Sequence, residues 1–335
     1  MPSSFEISIL IGSLRHDTSI AIRLDFKSVM KVAVVHNPTA GRSSLKIGEL
    51  LSLLRDAGHQ AEPIVTSEDL PRAPEVERAD LLVIAGGDGT LRKVALQFVG
   101  HSLPLAVLPI GTANNISKSL GIVGEPAAII ASWTQGQKRK IDVGCARGPW
   151  GERLFLEGIG IGLVGRSIGI VETIDQQSTR TFTDVEDTLQ RDLAVFVALA
   201  FEFPSVHVGC TADGLDLTDD YLLLEILNIR HVGPRIELAP EADPSDGLFD
   251  VVFATSRDRE SLKKMLLESL SASKASTFLS KRKTRDFRLN MLAGELRIDD
   301  EVVLRRDRTN RIKSEADQID ISVMPKVLQF LVPKN

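Results

Sequence analysis

Hydrophobic and polar positions in the first part of the chain alternate between strand-like and helix-like patterns. The predicted elements are a strand at 32–36, a helix at 44–57, strands near 61–66 and at 80–85, a helix at 90–99 and a strand at 104–108. Such alternation is typical of a mostly parallel α/β sheet, which binds ligands in the loops after its strands. The loops at 36–42, 86–91 and 109–115 each follow a predicted strand, so we expect them to form one site.

After about residue 140 the pattern becomes β-type. It predicts strands at 141–146, 153–163, 205–211, 221–229, 235–239, 248–254 and 286–304, interrupted by helical segments at 184–202 and 258–279. The apolar run at 327–333 predicts a strand that returns to the first domain. The second part is therefore expected to be a largely antiparallel domain.

The 335 residues are enough for two domains, because single cores tend to split beyond about 250 to 300 residues. We expect an α/β domain at 30–140, joined by a C-terminal strand at about 325–333, and a β-rich domain at 141–324. Residues 1–29 are interpreted as an extension outside the fold, with translation starting at Met30.

Charge and cysteine content restrict the partners and the compartment. With 40 Lys and Arg against 45 Asp and Glu, the net charge is −5, so no nucleic-acid partner is expected. Cys145 and Cys210 are too few for a disulfide framework or a zinc cluster and fit packed thiols in a reducing cytoplasm. The apolar run at 193–203 is shorter than the roughly 18 residues that a membrane span needs. We therefore expect a cytoplasmic protein that is soluble, or peripheral at a membrane.

The most informative segment is the glycine-rich loop at 86–90, which reads Gly-Gly-Asp-Gly-Thr between a predicted strand and a predicted helix. Glycines let backbone N–H groups approach an anion, and a helix N-terminus adds a favourable field. Asp88 would repel a phosphate unless a cation, a hydroxyl that donates its proton or a bridging water shares the site. The loop therefore favours phosphoryl transfer, the alternative being a tight βα turn that uses Gly and Asp for conformation.

Five segments in order resemble the diacylglycerol kinase catalytic-domain family, which includes soluble bacterial lipid kinases and the sphingosine and ceramide kinases. The segments are 37–42, 86–90, 109–115, 242–248 and 298–301, and the match in order and spacing extends over about 31–333. The resemblance implies a two-domain lipid-kinase-like α/β fold, with an N-terminal α/β nucleotide-binding domain and a C-terminal antiparallel β-sandwich domain. It also implies ATP-dependent phosphorylation of a lipid hydroxyl, most simply that of diacylglycerol to give phosphatidic acid.

The resemblance also implies the site residues. By resemblance, ATP would be bound by Asn37, Gly41, Thr66, Gly87, Asp88, Gly89, Thr90, Leu91 and Thr112. The residues themselves add Gly86 of the glycine loop and the hydroxyl of Thr39 as candidates. For the threonine hydroxyls, the alternative is a cap or turn hydrogen bond. Glu301 would accept the proton of the lipid hydroxyl, with Asp88 in the same network, although by itself Glu301 is one more acid in the acidic stretch 299–301.

A Mg²⁺ away from the reacting phosphate is also implied by the resemblance. Its ligands would be the carboxylate of Asp246 and backbone oxygens of Asp243 and Leu248, a set of oxygens that suits this ion. The alternative is a plain turn at 244–247. The two interpretations are compatible in one loop.

Several positions depart from the family pattern. Arg92 and Lys93 replace the usual Asn-Glu, Asn115 stands for Asp, Glu157 for Asn, and Asp300 for the Gly of Asp-Gly-Glu. These departures leave open a catalytically weak regulator that binds nucleotide or lipid. A small-molecule kinase of the NAD kinase type is a further alternative, against which the loop at 37–42 and the terminal Asp-Asp-Glu argue.

A lipid kinase meets its substrate at a membrane surface, so we expect transient, peripheral membrane contact. The basic run at 281–285 follows the predicted helix at 258–279 and is a candidate for anionic head groups, at about 1 kcal/mol per basic residue. The alternative is a solvated loop. The sequence leaves a homodimer open.

Overall fold

The computed structural model describes residues 5–9, 20–24, 29–40, 45–64, 69–177, 184–270, 279–291, 293–306 and 317–334. Two predicted ATP-binding residues, Gly41 and Thr66, lie outside these ranges. Strands β1 (Phe5–Ile9) and β2 (Ile20–Leu24) form an antiparallel pair and, within the described ranges, pair with no other strand. That residues 1–29 lie outside the fold stays a prediction.

A parallel sheet forms the first part of the protein. Its strands are β3 (Lys31–His36), β4 (Gln60–Pro63), β5 (Leu81–Gly86) and β6 (Leu105–Pro109), in the order β4-β3-β5-β6. Its helices are α1 (Ile47–Asp56), α2 (Pro74–Glu77), α3 (Asp88–Ala95), α4 (Asn115–Ser119) and α5 (Pro126–Ser132). Every residue of β5 is buried, as expected of a central strand in a covered parallel sheet.

In its described residues, the second part is built from antiparallel strands and helices α6 to α8. The strands are β7 (Gln137–Gly148), β8 (Gly151–Phe155), β9 (Gly158–Gly162), β10 (Val206–Ala212), β11 (Leu215–Asp216), β12 (Asp219–Leu227), β13 (His231–Val232), β14 (Ile236–Glu237), β15 (Phe249–Thr255), β16 (Ser280–Thr284), β17 (Asp286–Met291), β18 (Gly294–Ile298), β19 (Glu301–Arg306) and β20 (Asp317–Val332). The helices are α6 (Leu163–Gln177), α7 (Val185–Glu202) and α8 (Arg259–Leu270). One apolar core lies between the strands, with Phe155, Phe249 and Phe287, and a second lies under the helices, with Phe196 and Met265.

A long antiparallel ribbon of β7 and β20 connects the two parts. The far end of β20 pairs in parallel with β6 through Phe330 and Leu105, while its beginning pairs with β17. The register breaks between Met324 and Leu328, where Lys326 has a φ of +56°. Because this ribbon belongs to both parts, the domain boundaries at 140 and 324 stay a prediction.

The structure corrects the helical interpretation of the second part. The sequence predicts one helix at 184–202, but α6 precedes α7, and the structure begins α6 where the sequence predicts the end of a strand. Gly165, Gly169 and several β-branched residues give α6 a weak helix propensity. Packing overrides it, since a Cβ built on Gly165 would lie 3.1 Å from the Glu295 carbonyl oxygen of β18.

Two further boundaries differ. The stretch at 286–304 is three strands, β17, β18 and β19, because Asp299 turns the chain with a φ of +53°. Helix α8 ends at Leu270, and residues 271–278 of the predicted helix lie outside the described ranges.

Candidate active site

The loops after β3 and β5 are joined by hydrogen bonds of Asn37. Its Nδ2 donates to Thr90 Oγ1 at 2.7 Å, and its Oδ1 accepts from the N–H and the hydroxyl of Thr39 at 3.0 and 2.8 Å. The hydroxyls of Thr39 and Thr90 therefore organise the loops through Asn37, which is the turn role that the sequence left open for them.

The loop after β6 touches the glycine loop directly. A Cβ built on Gly111 would lie 2.3 Å from Gly87 Cα, so this approach requires glycine at Gly111. Asn114, with a φ of +55°, accepts from Gly111 N at 3.0 Å and donates to Gly111 O at 2.8 Å. The three loops thus form one continuous wall at the carboxyl end of the sheet.

A pocket of about 710 Å³ opens above this wall. The predicted residues Asn37, Gly87, Gly89, Thr90 and Thr112 line it, together with Val35, Ala40, Leu70, Lys93, Val94, Gln97 and Gly111. Gly86 and Leu91 are buried behind the wall rather than on it. Backbone amides, one lysine and an apolar side formed by Val35, Leu70 and Val94 fit a nucleotide in size and chemistry.

Asp88 is the first residue of α3, but its carboxylate serves another helix. It accepts from the backbone N–H groups of Asn115 at 2.9 Å and Ile116 at 3.0 Å, the first residues of α4. Burial raises the pKa of Asp88, and these two hydrogen bonds oppose the increase. Asp88 therefore fixes the loop after β6 to the glycine loop and faces an interior space rather than solvent.

That space is a cavity of about 260 Å³ between the two parts of the protein. Gly89 and Thr112 belong to its wall and to the wall of the larger pocket, so the two spaces adjoin at the glycine loop. The remaining wall is formed by Asp88, Ala113, Asn115, Glu157, Val164, Ile168, Val232, Gly233, Arg297, Asp299 and Asp300. A hydrogen bond connects the two sides of the cavity: Arg235 of the second part donates to the carbonyl oxygen of Thr112, in the loop after β6, at 2.7 Å.

The turn between β18 and β19 supplies two of the acids in this cavity. Asp299 is buried and accepts from the backbone N–H groups of residues 156–158 at 2.8 to 3.3 Å. Burial raises the pKa of Asp299 to about 6, against these hydrogen bonds and the charge of Arg92. Asp300 pairs with Arg92 of α3 at 2.6 Å, which joins the two parts across the cleft.

A fully buried ion pair supports the same turn. Arg297 pairs with Glu225 of β12, and its Nη1 also donates to Asp299 O at 2.6 Å. Sequence reasoning missed Glu225, although an acid inside the apolar run 222–227 is the signal that could have found it. The pair fixes the turn against the centre of the sheet.

Glu157, noted in the sequence only as a departure, also lies in the cavity wall. Its side chain is buried, with the residue 7% exposed, and among the described residues its carboxylate has no hydrogen-bond partner. Burial raises the pKa of Glu157 well above its usual value, and the charges of Asp88 and Asp299 add to the increase. It is thus a carboxyl group that the protein leaves free to meet a ligand.

Glu301, the predicted proton acceptor, lies outside this cavity. Its side chain is 56% exposed and pairs with Arg153 of β8 at 3.1 Å. Its neighbour Asp300 faces the cavity instead. In this arrangement Asp88 and Glu301 do not line one space, and the role of Glu301 stays a prediction.

The loop predicted to hold Mg²⁺ has its charges balanced by basic side chains. Asp246 pairs with Lys283 Nζ at 2.6 Å and accepts from Leu248 N at 2.9 Å, while Asp243 pairs with Arg139. In the described part of the chain, no group of three or more His, Cys, Asp or Glu side chains forms a metal site. A magnesium ion on Asp246 would have to displace Lys283, so this donor set does not fit the ion as it stands.

Asp142 anchors the same loop and was missed in the sequence. Its carboxylate accepts from Gly247 N and Lys326 N, both at 2.7 Å, at the register break of the ribbon. Burial raises the pKa of Asp142, against these two hydrogen bonds. The sequence feature that could have revealed Asp142 is an acid between Ile141 and Val143 in an apolar strand.

Comparison with known proteins identifies the family. Residues 31–146 match the model of the diacylglycerol kinase catalytic domain. A "Probable lipid kinase YegS-like" of Pseudomonas aeruginosa is 32% identical over 228 residues, which cover 65% of this chain and 70% of that protein. The chain belongs to this family of lipid kinases. A "Diacylglycerol kinase" of Bacillus subtilis is 26% identical over 235 residues, covering 66% and 73% of the two chains.

A solved structure extends the likeness to nearly the whole lipid kinase. The crystal structure of a putative diacylglycerol kinase from Bacillus anthracis covers 93% of this chain and 98% of its own, with a TM-score of 0.64 and 18% identity. This similarity shows the fold, and the predicted fold class is confirmed. The family assignment identifies the protein as a kinase acting on a lipid alcohol group and favours that over an enzyme of the NAD kinase type.

Within the ranges that the structure describes, no helix of this lipid kinase has the length and apolarity needed to cross a membrane.

Proposed function

We propose that this lipid kinase transfers the γ-phosphoryl group of ATP to the hydroxyl of diacylglycerol, giving phosphatidic acid and ADP. The observation that carries the proposal is the junction at Gly89 and Thr112, where the nucleotide-sized pocket meets the cavity between the two parts. A phosphate chain on the glycine loop would end at this junction. An acceptor hydroxyl in the cavity would then lie in line with it, shielded from water.

ATP is proposed to lie in the pocket of about 710 Å³. The backbone at Gly87 and Gly89 would hold its phosphates, Lys93 would balance their charge, and Val35 and Leu70 would contact the base. A Mg²⁺ bound with the nucleotide would neutralise negative charge on the phosphates. Gly41 and Thr66 are proposed as ATP contacts from the family resemblance alone.

The acyl chains have a candidate site on the other side of α6. A groove of about 950 Å³ runs between α6, α7 and β18, with Ile170, Val195, Ala198 and Leu199 in its wall. Val164 and Ile168 of α6 face the small cavity, and Arg166 and Ile170 face the groove, so opposite sides of one helix serve the two spaces. A groove of this size and polarity suits hydrocarbon chains.

The proposed division of labour follows the fold. The part at 30–140, with the C-terminal strand, would bind ATP, and the part at 141–324 would bind the lipid. Such an enzyme would work in the cytoplasm and contact a membrane transiently to reach its substrate. The contact would include Lys281 and Arg282, which are exposed on β16.

A transfer assay with a panel of acceptors tests the proposal. Labelled phosphate from Mg·ATP would be offered with diacylglycerol, sphingosine, phosphatidylglycerol or NAD, and the products separated into chloroform and water. Label in chloroform with diacylglycerol alone supports the proposal. If only another lipid is labelled, that lipid and not diacylglycerol is the acceptor. If ATP binds and no acceptor is labelled, the protein is a regulator.

A further inference from the structure

Among the residues that the structure describes, four carboxyl groups line the cavity where the proposed transfer would occur, and three of them are already engaged. Asp299 accepts from three backbone N–H groups, and Asp88 accepts from two. Asp300 is half exposed and pairs with Arg92 at 2.6 Å. Each of these three acids thus has a structural partner that a proton transfer would disturb.

Glu157 is the exception. It follows β8, and both of its backbone groups are engaged: its N–H donates to Asp299 Oδ1 at 2.8 Å, and its carbonyl oxygen accepts from Asn228 N at 2.8 Å. Its carboxylate has no hydrogen bond from any described residue. It is 7% exposed, and it lines the cavity that adjoins the nucleotide pocket at Gly89 and Thr112. A buried carboxyl group without a partner is costly to the fold, and such groups are retained where they meet a ligand.

We propose that Glu157 is the group that accepts the proton of the lipid hydroxyl. This inference rests on the proposed function. As the hydroxyl oxygen bonds to the γ-phosphorus, its O–H bond breaks and the proton passes to the Glu157 carboxylate. The bond between the γ-phosphorus and the bridging oxygen breaks, ADP leaves with that electron pair, and Glu157 returns the proton to solvent when the cavity opens.

The charges around Glu157 match this task. Asp88, Asp299 and Asp300 raise the pKa of Glu157, as does burial, while Arg297 lowers it. A base whose pKa lies nearer to the working pH than that of an ordinary glutamate holds a proton more firmly once it is transferred. Because only the ionised form can accept the proton, kcat should rise with pH on the acid side, with a midpoint above the ordinary value of about 4.3.

The test compares Glu157→Gln with wild type and with Glu152→Gln, the same change at an exposed site on β8. Glutamine keeps the shape of a neutral glutamic acid, so we expect unchanged ATP binding and thermal unfolding. We expect kcat for labelled phosphate transfer to fall by about 10²-fold or more, and the acid limb of its pH profile to disappear. Glu152→Gln should keep both the rate and the acid limb.

If Glu157→Gln does not fold, two other variants test the proposal. Glu157→Asp keeps the carboxyl group at a shorter reach, so it should retain the acid limb at a reduced rate. Glu301→Gln, measured beside it, should lose less activity than Glu157→Gln or Glu157→Asp. The role of Glu157 is overturned, and the proposed function is left standing, by either of two results. One is a folded Glu157→Gln with wild-type kcat and an intact acid limb. The other is a larger loss of activity in Glu301→Gln than in the Glu157 variants. A wild type that labels no acceptor overturns the function, and the role of Glu157 with it.

Discussion

At the scale of single residues, the cavity is defined by how each buried acid is satisfied. Asp88 and Asp299 are held by backbone N–H groups, whereas Glu225 is held by Arg297. Several N–H groups stabilise a buried carboxylate, and Asp299 also has the guanidinium of Arg92 at 3.8 Å. Glu157 lacks such support, which distinguishes a group available for chemistry from groups that maintain the fold.

The raised pKa of Asp299 makes stability depend on pH. The native protein keeps this proton up to about pH 6, while the unfolded chain releases it near 3.8. Between these values the native state binds more protons, so the contribution of Asp299 to the free energy of unfolding falls as pH rises. The free energy of unfolding in urea can be compared between wild type and Asp299→Asn. The wild-type value minus the variant value should decrease by on the order of 2 kcal/mol between about pH 4 and pH 6.5. A difference that is constant or grows with pH would contradict this assignment.

Residues differ in how much the sequence alone revealed about them. The glycine loop with Asp88 was predictable, because the sequence pattern places it after a strand and its residue types have few other uses. The partner of Asp88 was not, since it lies 27 and 28 positions away at Asn115 and Ile116. The exposed position of Glu301 could not be predicted either, because it depends on the register of β18 and β19 at the turn.

At the scale of elements, Arg92 of α3 and Asp300 of the β18–β19 turn connect the two parts. Both were seen in the sequence as departures from the family, and the structure shows that they are partners at 2.6 Å. Arg92 is mostly buried and Asp300 is more than half exposed, so solvent weakens their attraction. Each of these two departures from the family pattern thus supplies the opposite charge for the other.

A double-mutant cycle measures this connection. Arg92→Met, Asp300→Asn and the double variant should show a coupling of roughly 0.5 to 1 kcal/mol in the free energy of unfolding. The double variant should be less destabilised than the sum of the single ones. Additive effects would mean that the two side chains act independently.

The loop at 243–248 gives a prediction about magnesium. If Lys283 supplies the positive charge for Asp246 and Asp250, Mg²⁺ without nucleotide should leave the Tm of wild type nearly unchanged. Lys283→Met removes the ammonium, so its Tm should be lower and should rise when millimolar Mg²⁺ is added. A Tm of wild type that rises with Mg²⁺ and falls with a chelator would instead support the magnesium site predicted from the sequence.

Elements were predictable where local pattern and packing agree. In the first part, the four strands and helices α1 and α3 lie close to where the hydrophobic pattern predicts them, whereas the short helices α2, α4 and α5 were not predicted. Helix α6 was missed as well, because its glycines fit against β18 only in the folded protein. The same holds for β16, whose basic residues 281–283 read as a loop but pair with β15.

At the scale of the whole molecule, the β7–β20 ribbon connects the part with the proposed nucleotide pocket to the part with the proposed lipid site. Asp142 joins the ribbon to the loop at Gly247, and it does so where the register breaks at Lys326. The two strands that complete this connection lie far apart in the sequence, since β6 pairs with β20 through Leu105 and Phe330. The apolar pattern at 327–333 predicts that a strand returns to the first domain, but it does not predict the long pairing of that strand with β7.

Membrane contact is also a property of the whole surface. The net charge is −5, so binding to anionic vesicles would have to come from a local patch, for which Lys281 and Arg282 are the candidates. Changing both to Gln should weaken sedimentation with phosphatidylglycerol vesicles by roughly 10- to 30-fold at low salt, at about 1 kcal/mol per charge. The matched pair Lys138→Gln and Lys140→Gln, exposed on β7, should bind as wild type does. Equal losses in both pairs would assign the binding to net charge alone.

The most direct test of the account is the rate of phosphate transfer from Mg·ATP to diacylglycerol in mixed micelles, for wild type beside Asp88→Asn. Asparagine can accept only one of the two hydrogen bonds from Asn115 and Ile116, so the glycine loop and the loop after β6 should lose their fixed relation. We predict labelled phosphatidic acid with wild type and at least about a tenfold lower rate with the variant, at unchanged folding. Wild type that binds ATP but labels no lipid, or Asp88→Asn with full activity, would contradict the account.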